Sequence, residues 1–383
     1  MAKKFLNILT SLHLTVVCLS LATLLVFVGT LAQVDEGLYN AQHRYFRSLL
    51  IWWSLPGASW KLPVFPGGYL IGGVLLVNLV AAHLKRFSFS RKKIGIFIIH
   101  AGLILLLLGQ LLTDFLSVES SMRLTEGEAK DYSLSQQASE LALIEVSNPE
   151  YNEVVAIPDK ILARQKEITN RKLPFTVRIK NYYPNSALTN RLSNAGGETL
   201  PATRGVGTQL KLIPLQPTVR MDERNLPSAL VELVTAQGAS LGTWLVSAWL
   251  DAPQTFTHES KSYQMALRFT RFYKPFSIQL VDFRHDKYKG TEIPKNFSSR
   301  IRVQRPATGE DREVLIYMNN PLRYWGETYY QASYDENDPR VSILQVVRNP
   351  SWLTPYLSCC LVGLGLAVQF MSHLISFAKR RAA

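Results

Sequence analysis

Four blocks along the chain are almost entirely apolar, whereas the rest of the sequence is mixed or alternating. Each block has roughly the 17–25 residues that a helix needs to cross a bilayer, although glycines weaken the second block. The pattern predicts four transmembrane helices, and we expect the first to be retained because no small-residue cleavage site follows it. The blocks are Leu14–Leu31, Pro66–Leu84, Ile94–Leu116 and Leu353–Phe377.

The long segment between the third and fourth blocks, residues 117–350, lacks helical periodicity. Short runs of alternating apolar and polar residues are separated there by Gly, Pro, Asn and Asp, which is typical of antiparallel strands joined by turns. We therefore expect an all-β, sandwich-like domain. The runs are Leu141–Val146, Phe175–Ile179, Gln209–Ile213, Ala229–Leu233, Met265–Phe269, Ile278–Val281, Ile301–Val303, Val314–Tyr317 and Ser342–Val347.

The same segment contains an internal repeat. Three pieces recur in the same order, which predicts two related β units, the first of them enlarged between Tyr182 and Asn225. The paired pieces are Pro174–Tyr182 with Pro275–Phe283, Asn225–Leu230 with Asn296–Ile301, and Tyr263-Gln264 with Tyr330-Gln331.

The net charge of +13 in 383 residues is typical of nucleic-acid-binding proteins, but its location argues against that class. Ten basic residues lie in three short segments that contain no acidic residue and flank the apolar blocks. Lysine and arginine beside membrane helices fix helix orientation, so we expect the lipid bilayer and no nucleic acid as partner. The ten residues are Lys3, Lys4, Lys85, Arg86, Arg91, Lys92, Lys93, Lys379, Arg380 and Arg381.

One topology places all three basic segments in the cytoplasm. Residues 1–116 then contain three transmembrane helices, an outer loop at 34–65 and a basic inner loop at 85–93. Residues 117–350 form an extracytoplasmic β-rich domain, and residues 351–383 form the fourth transmembrane helix and a basic cytoplasmic tail. Both termini are cytoplasmic in this topology, and the large domain is on the outer face.

No catalytic constellation is identified in the β-rich segment. The cysteines Cys18, Cys359 and Cys360 all lie in apolar blocks, so the β-rich segment cannot perform thiol–disulfide exchange. It also lacks a Gly-x-Ser-x-Gly elbow and a phosphate-binding loop. We expect its two histidines, His258 and His285, on the surface or in loops.

An ionisable residue, His100, lies inside the third apolar block, six residues from its start. Ionisable groups at membrane depth are costly and commonly functional, and imidazole is a common axial ligand of haem iron. A satisfied buried histidine is the alternative. Gly95, Gly102 and Gly109 predict a close helix contact, and His100 lies about 180–220° around the helix from them. His100 is therefore expected to face a different helix or another subunit.

Three further histidines, His13, His83 and His373, lie near the predicted cytoplasmic ends of the other apolar blocks. With His100 they form a set from which two axial ligands could come within one chain. Contact with lipid headgroups is the alternative for each of the three.

Several short motifs are distributed over nearly the whole chain. They are Gly29–Tyr39, Pro66–Tyr69, Asn78-Leu79, His100–Gly102 with Gly109, Met318–Leu322, Tyr324, Gly326 and Tyr330–Ser333. In this combination the chain resembles the ResB/CcsB family of cytochrome c biogenesis, one half of the system II haem-attachment machinery.

The resemblance implies a membrane protein that works with a CcsA-type haem-lyase subunit, in a bacterial inner or plasma membrane or a thylakoid-type membrane. The complex would carry haem b from the cytoplasmic side to the outer face and present it for covalent attachment to apocytochrome c. The family's intramembrane ligand of haem iron falls on His100, with His83 as the rival. The partner's tryptophan-rich segment is missing, since Trp52-Trp53 is followed by Ser54, which implies an attachment platform on the partner.

Two hypotheses of function remain open at this level. The first is the haem-carrying subunit, which is accessory to a haem lyase and has no catalytic set of its own. The second is a structural membrane scaffold that holds the CcsA-type partner and the apocytochrome without binding haem. An enzyme acting alone has little support from the sequence.

Overall fold

The computed structural model describes residues 2–54, 60–85, 93–193, 196–218, 224–290, 294–335 and 337–382. Helices α1 to α7 are Ala2–Leu9, Leu12–Glu36, Leu38–Ala41, Gly68–Lys85, Ile94–Leu116, Asp159–Leu162 and Thr354–Ala382, and a π-helix spans Gln42–Phe46. Strands β1 to β18 are Leu50–Trp53, Leu62–Pro66, Val118–Thr125, Ala129–Glu145, Glu153–Pro158, Glu167–Ile168, Phe175–Tyr183, Ser186–Asn190, Leu210–Pro214, Ser228–Thr235, Ser240–Ser247, Gln254–His258, Lys261–Lys287, Pro294–Arg305, Glu310–Tyr317, Leu322–Tyr324, Glu327–Tyr334 and Val341–Arg348.

Four of these helices, α2, α4, α5 and α7, are long and apolar enough to cross a membrane. They coincide with the four predicted blocks, and all the long strands lie in the segment predicted to be β-rich. The predicted fold class, four membrane helices plus a large all-β domain, is confirmed. The chain divides into a helical unit, which contains residues 2–118 and 348–382, and a β unit, which contains residues 119–218 and 224–347.

The helical unit is held at the start of α2 by a polar contact with α4. Asn78, in the middle of α4, is buried. Its amide nitrogen donates to the carbonyl oxygens of Leu9 at 2.6 Å and Ser11 at 3.2 Å, and its amide oxygen accepts from the Thr15 hydroxyl at 2.6 Å. These carbonyls lie at the break between α1 and α2, so Asn78 satisfies backbone groups that the helices leave open.

The segment predicted as outer loop 34–65 is more structured than a loop. Helix α2 continues to Glu36, and Gly37 then turns the chain into α3 with φ of 74°, a conformation that favours glycine. The π-helix follows, and strands β1 and β2 form an antiparallel hairpin. A Cβ at Gly68 would lie 2.4 Å from the carbonyl oxygen of Phe46, so the first turn of α4 touches the π-helix backbone.

The β unit contains two large sheets and a separate hairpin of β8 and β9. A four-stranded sheet has the order β11-β10-β7-β6. A ten-stranded sheet has the order β15-β14-β13-β4-β3-β18-β17-β16, with β5 added beside β4 and β12 beside β13. The first hydrophobic core lies between the four-stranded sheet and β4, β5 and β13, with Val177, Val231 and Met265 at its centre. The second core, including Ile278, Ile301 and Leu344, is formed by the ten-stranded sheet alone.

The predicted repeat is visible in the strand pairing. In the first half Leu230 pairs with Asn181 and Val231 with Ile179, so Lys180 is skipped. In the second half Arg300 pairs with Asp282 and Ile301 with Leu280, so Val281 is skipped. Each pair of strands therefore carries a register shift at the same place, which supports the two related β units.

Two of the three predicted sequence pairings are displaced by one residue. The strand register matches Ala229 with Ser299, one position before the predicted partner Arg300. Likewise the buried counterpart of Tyr263 is Tyr329, whereas Tyr330 is exposed. A shift of one residue moves a side chain to the opposite face of a strand, so burial identifies the correct register where sequence similarity does not.

The predicted enlargement between Tyr182 and Asn225 contains the β8–β9 hairpin. With β10 and β11 this insertion forms a small third core of Leu200, Leu212, Leu230 and Leu245. The insertion covers the face of β10 that points away from the first core. Arg300 takes the equivalent place of Leu230 in the second half and is exposed, because no such insertion covers it.

The expectation that His258 and His285 are surface or loop residues is wrong. His258 ends β12 with its ring 6.0 Å from that of Phe175. His285 lies in β13 between the rings of Phe297, at 4.7 Å, and Tyr334, at 4.3 Å. Both histidines are half-buried and act as flat packing groups at the margins of the two cores.

Candidate functional site

The structure brings His83 and His100 together. His83 lies in the last turn of α4 and His100 in the second turn of α5. Their ring centroids are 5.7 Å apart and the rings meet edge to face, at 78°. Phe97, one turn before His100, places its ring 4.8 Å from His83. The two half-buried imidazoles thus lie against each other at one end of the α4–α5 pair, which we call the histidine end.

His100 faces α4 because the opposite side of α5 is closed by α7. A Cβ at Gly95 would lie 2.7 Å from the backbone nitrogen of Gln369 and 2.8 Å from the carbonyl oxygen of Gly365. A Cβ at Gly102 would lie 2.8 Å from Val362, and Gly109 meets Thr354 in the same way. The predicted glycine contact is therefore the α5–α7 interface, and the predicted direction of His100, away from it, is confirmed.

The other two histidines of the predicted set are placed differently. His13 is exposed on α2, and His373 is exposed on α7 with its Nε2 at 2.8 Å from Nε2 of Gln369. Among the described residues, no three histidine, cysteine, aspartate or glutamate side chains form a group suited to a metal ion. Only His83 and His100 of the four come into ring contact in this part of the chain.

Two adjacent imidazoles offer a restricted chemistry in an apolar setting. A neutral imidazole has one nitrogen with a lone pair and one N–H donor, and imidazole nitrogen is the usual protein ligand of haem iron. Ile104 and Leu107 continue the His100 face of α5 as an apolar wall. The pair therefore places two nitrogens that are able to ligate a metal beside an apolar helix face.

A second polar group lies at the opposite end of the α4–α5 pair and was missed by the sequence reasoning. Nε of Arg47, just after the π-helix, is 2.6 Å from Oδ1 of Asp114 near the end of α5. The Tyr69 hydroxyl in the first turn of α4 donates to Oδ2 of the same carboxylate. Asp114 is 9% exposed and Arg47 37%. The sequence did contain one signal for this group, the carboxylate of Asp114 near the end of an apolar run. Carboxylates in such positions usually have a partner.

These groups border a cavity of about 510 Å³. Leu76, Leu107 and Leu111 supply apolar walls, and Gln33, Gln42 and Gln110 add polar atoms. Gly72 and Gly73 on α4 also line it, and a Cβ at either would have nothing within 4 Å. The volume is in the range of small-molecule sites, and the lining is amphipathic.

Comparison with known proteins connects this chain to one family. Residues 228–349 match the model of the ResB-like family. That match covers strands β10 to β18 and includes the Met318–Leu322 motif. Protein NrfI of Wolinella succinogenes is 26% identical over 304 residues, which are 77% of this chain and 29% of NrfI. The chain thus spans less than a third of that relative's length. The predicted resemblance to ResB proteins is confirmed.

Proposed function

We propose, from the premise that this chain is ResB-like, that it takes part in cytochrome c biogenesis as a haem-handling membrane subunit. It works with a CcsA-type subunit of a system II cytochrome c synthase and helps to carry haem from the cytoplasmic side to the outer face. Haem is there presented for attachment to apocytochrome c. The observation that carries the proposal is the contact of His83 with His100 between two membrane-length helices of a ResB-like chain.

The charge pattern supplies the orientation in this proposal. Basic residues at both chain ends and between α4 and α5 are held in the cytoplasm. The histidine end of the α4–α5 pair is then on the cytoplasmic side, and the β unit is on the outer face. A reporter fused in the exposed turn at Gly290 should therefore read as extracytoplasmic, and a cytoplasmic reading would contradict this orientation.

The proposed work of this chain is binding and positioning. Addition of cysteine thiols to the vinyl groups of reduced haem needs a bound and correctly oriented haem more than an acid–base pair. His100 supplies a nitrogen to the iron of the haem cargo. His83 or a histidine of the CcsA-type partner supplies the second axial ligand, and the apolar wall of α5 excludes water.

The test is a histidine series in the co-purified complex. His100→Ala should remove the b-type absorbance and abolish cytochrome c maturation, and added imidazole should restore part of the absorbance because it replaces the lost ligand. His13→Ala is the matched control, since this histidine is exposed on another helix, and it should leave both readouts unchanged. Full haem content and normal cytochrome c in His100→Ala would show that the ligand assignment is wrong.

His83→Ala distinguishes the two possible second ligands. If His83 is an axial ligand, its loss should change the spectrum as strongly as the loss of His100. If the partner supplies the second ligand, His83→Ala should retain a low-spin b-type spectrum with a modest change in haem affinity. The structural scaffold is the second candidate function, favoured by the size of the β unit. It is correct if the double variant His83→Ala, His100→Ala still supports normal maturation.

A further inference from the structure

The α4–α5 pair carries the same spacing of lining residues on both helices. On α5, His100 is followed by Leu107, Leu111 and Asp114, at intervals of seven, four and three residues. On α4, read backwards, His83 is followed by Leu76, Gly72 and Tyr69, at the same intervals. Such intervals keep side chains on one face of a helix. The two faces meet at both ends, through the imidazole rings and through the Tyr69–Asp114 hydrogen bond.

The cavity near Asp114 is therefore in line with the histidine pair. Fourteen residues separate His100 from Asp114, so the two ends are about 21 Å apart along the helix at 1.5 Å per residue. Between them Leu107, Leu111 and Leu76 provide apolar surface, and Gly72 leaves the side-chain position open. A ligand that moves from the histidine end to the Asp114 end can keep its apolar body against the same faces of α4 and α5.

The polar end of the cavity is suited to an anion. A guanidinium has five N–H donors, and one carboxylate accepts at most a bidentate pair of them. The ion pair with Asp114 thus leaves donor capacity on Arg47, which is more than a third exposed. Asp114 is also held by Tyr69, so a second carboxylate can share Arg47 without leaving Asp114 unpartnered.

We infer that this cavity is a second binding station for the tetrapyrrole cargo, in which Arg47 pairs with a propionate carboxylate. The inference rests on the proposed function for the identity of the ligand. A tetrapyrrole has a planar apolar body and two anionic propionate groups, and this chemistry matches the amphipathic lining of the cavity. A phospholipid shares the apolar body and the anion, but alignment with two imidazoles favours the tetrapyrrole.

The test uses metal-free protoporphyrin IX, because binding of this probe needs no axial ligand. The full chain in zwitterionic lipid nanodiscs is titrated, and porphyrin fluorescence reports the dissociation constant. Gly72→Leu should weaken binding about tenfold or more, because the leucine side chain fills the cavity. Gly363→Leu is the matched control, because a Cβ there also has nothing within 4 Å, and it should change the constant less than about twofold.

The carboxylate contact is tested separately. The dimethyl ester of protoporphyrin should bind about tenfold more weakly than the diacid, because it cannot pair with Arg47. The paired variant Arg47→Gln, Asp114→Asn removes both charges without leaving a buried carboxylate alone, and it should abolish the preference for the diacid. Equal binding of diacid and ester by the unaltered chain, or no effect of Gly72→Leu, would overturn the inference.

Two further arms separate the possible sources of a negative result. If native mass spectrometry shows phosphatidylglycerol retained by the unaltered chain and lost from the paired variant, while porphyrin binding is unchanged, the occupant is a lipid and the inference fails. Porphyrin binding in the His83→Ala, His100→Ala background should persist. Failure of the proposed function itself would instead appear as unaltered b-type absorbance in His100→Ala, which this probe does not measure.

Discussion

Helix α5 has two faces of opposite character, and the difference shows how a packed helix can leave space for a ligand. Towards α7 the glycines bring backbones together, and Gly95 and Gly365 lie so close that a Cβ on either would be 2.8 Å from the other's carbonyl oxygen. Towards α4 the helices meet at their two ends, and a cavity lies near one of them. Tight packing on one face fixes the position of α5, so the other face can stay open without the helix tilting into the space.

The largest expected effect on stability comes from a substitution on the face of α5 that packs against α7. Gly95→Leu places a side chain against the backbone of α7, which cannot move aside as a flexible side chain would. We expect a loss of about 3 kcal/mol or more in stability, seen as a large fall in the midpoint of thermal unfolding in detergent by circular dichroism at 222 nm. Gly363→Leu on α7, with open space around it, should unfold like the unaltered protein. Similar midpoints for both variants would contradict the close approach of α5 and α7.

A smaller effect is expected from the polar contact that holds α4. Asn78→Leu keeps the approximate size of the side chain but leaves the carbonyl groups of Leu9 and Ser11 without their donor. An unsatisfied buried acceptor costs about 1–3 kcal/mol, so the unfolding midpoint should fall by less than in Gly95→Leu. Asn78→Gln is not an adequate replacement because the longer side chain shifts the amide.

Hydrogen exchange of the α1–α2 junction supplies the local readout for Asn78→Leu. Faster exchange at residues 10–15 with little change in α7 is the expected pattern. Uniform acceleration over all helices would show that Asn78 stabilises the whole helical unit and not the α1–α2 junction alone.

The smallest effect on stability is expected from a substitution on the face of α5 that points towards α4. Leu111→Ala enlarges the cavity at a side chain that is already exposed to 38%. Because few contacts are lost, stability should change by about 0.5 kcal/mol or less, within the error of most unfolding curves. A loss comparable to that of Asn78→Leu would mean that Leu111 is packed by something outside this chain, and the comparison between the two faces would fail.

The sequence was sufficient for the helices and for the direction of His100, because both depend on local periodicity. Twenty or so apolar residues cannot be hidden elsewhere, and a glycine row spaced by seven fixes one face of a helix wherever its neighbour lies. The pair of His83 and His100 was one of several pairs possible among the four histidines. The antiparallel packing of α4 and α5 in the structure is what brings these two together. The ligand role of either histidine remains a prediction.

The Arg47–Asp114–Tyr69 group could not be found in the same way. Its members come from three elements far apart in the chain, and one of them follows a π-helix, which has no clear sequence signature. In the sequence Asp114 stands near the end of an apolar block, and nothing around it identifies a partner. Its near-complete burial and its two partners become visible only when α4, α5 and the π-helix are placed together.

The repeat in the β unit shows a different limit. Similarity along the sequence identified both halves, but the second and third pairings slipped by one residue. Leu230 and Arg300 explain the slip in the second pairing, since the insertion covers a second face of β10 in the first half and changes which positions are apolar. Strand pairing does not depend on such changes, so the skipped residues Lys180 and Val281 align the halves correctly.

Strand β13 has a mechanical consequence for the β unit. Its 27 residues give Met265 and Leu267 to the first core and Phe276 and Ile278 to the second, while β4 runs beside it through the first of these stretches and beyond. Each half therefore depends on a strand, β13, that it shares with the other half. Although the unit contains two similar halves, they share strand β13. The unit should therefore unfold in a single cooperative step and resist division into two independently folding domains.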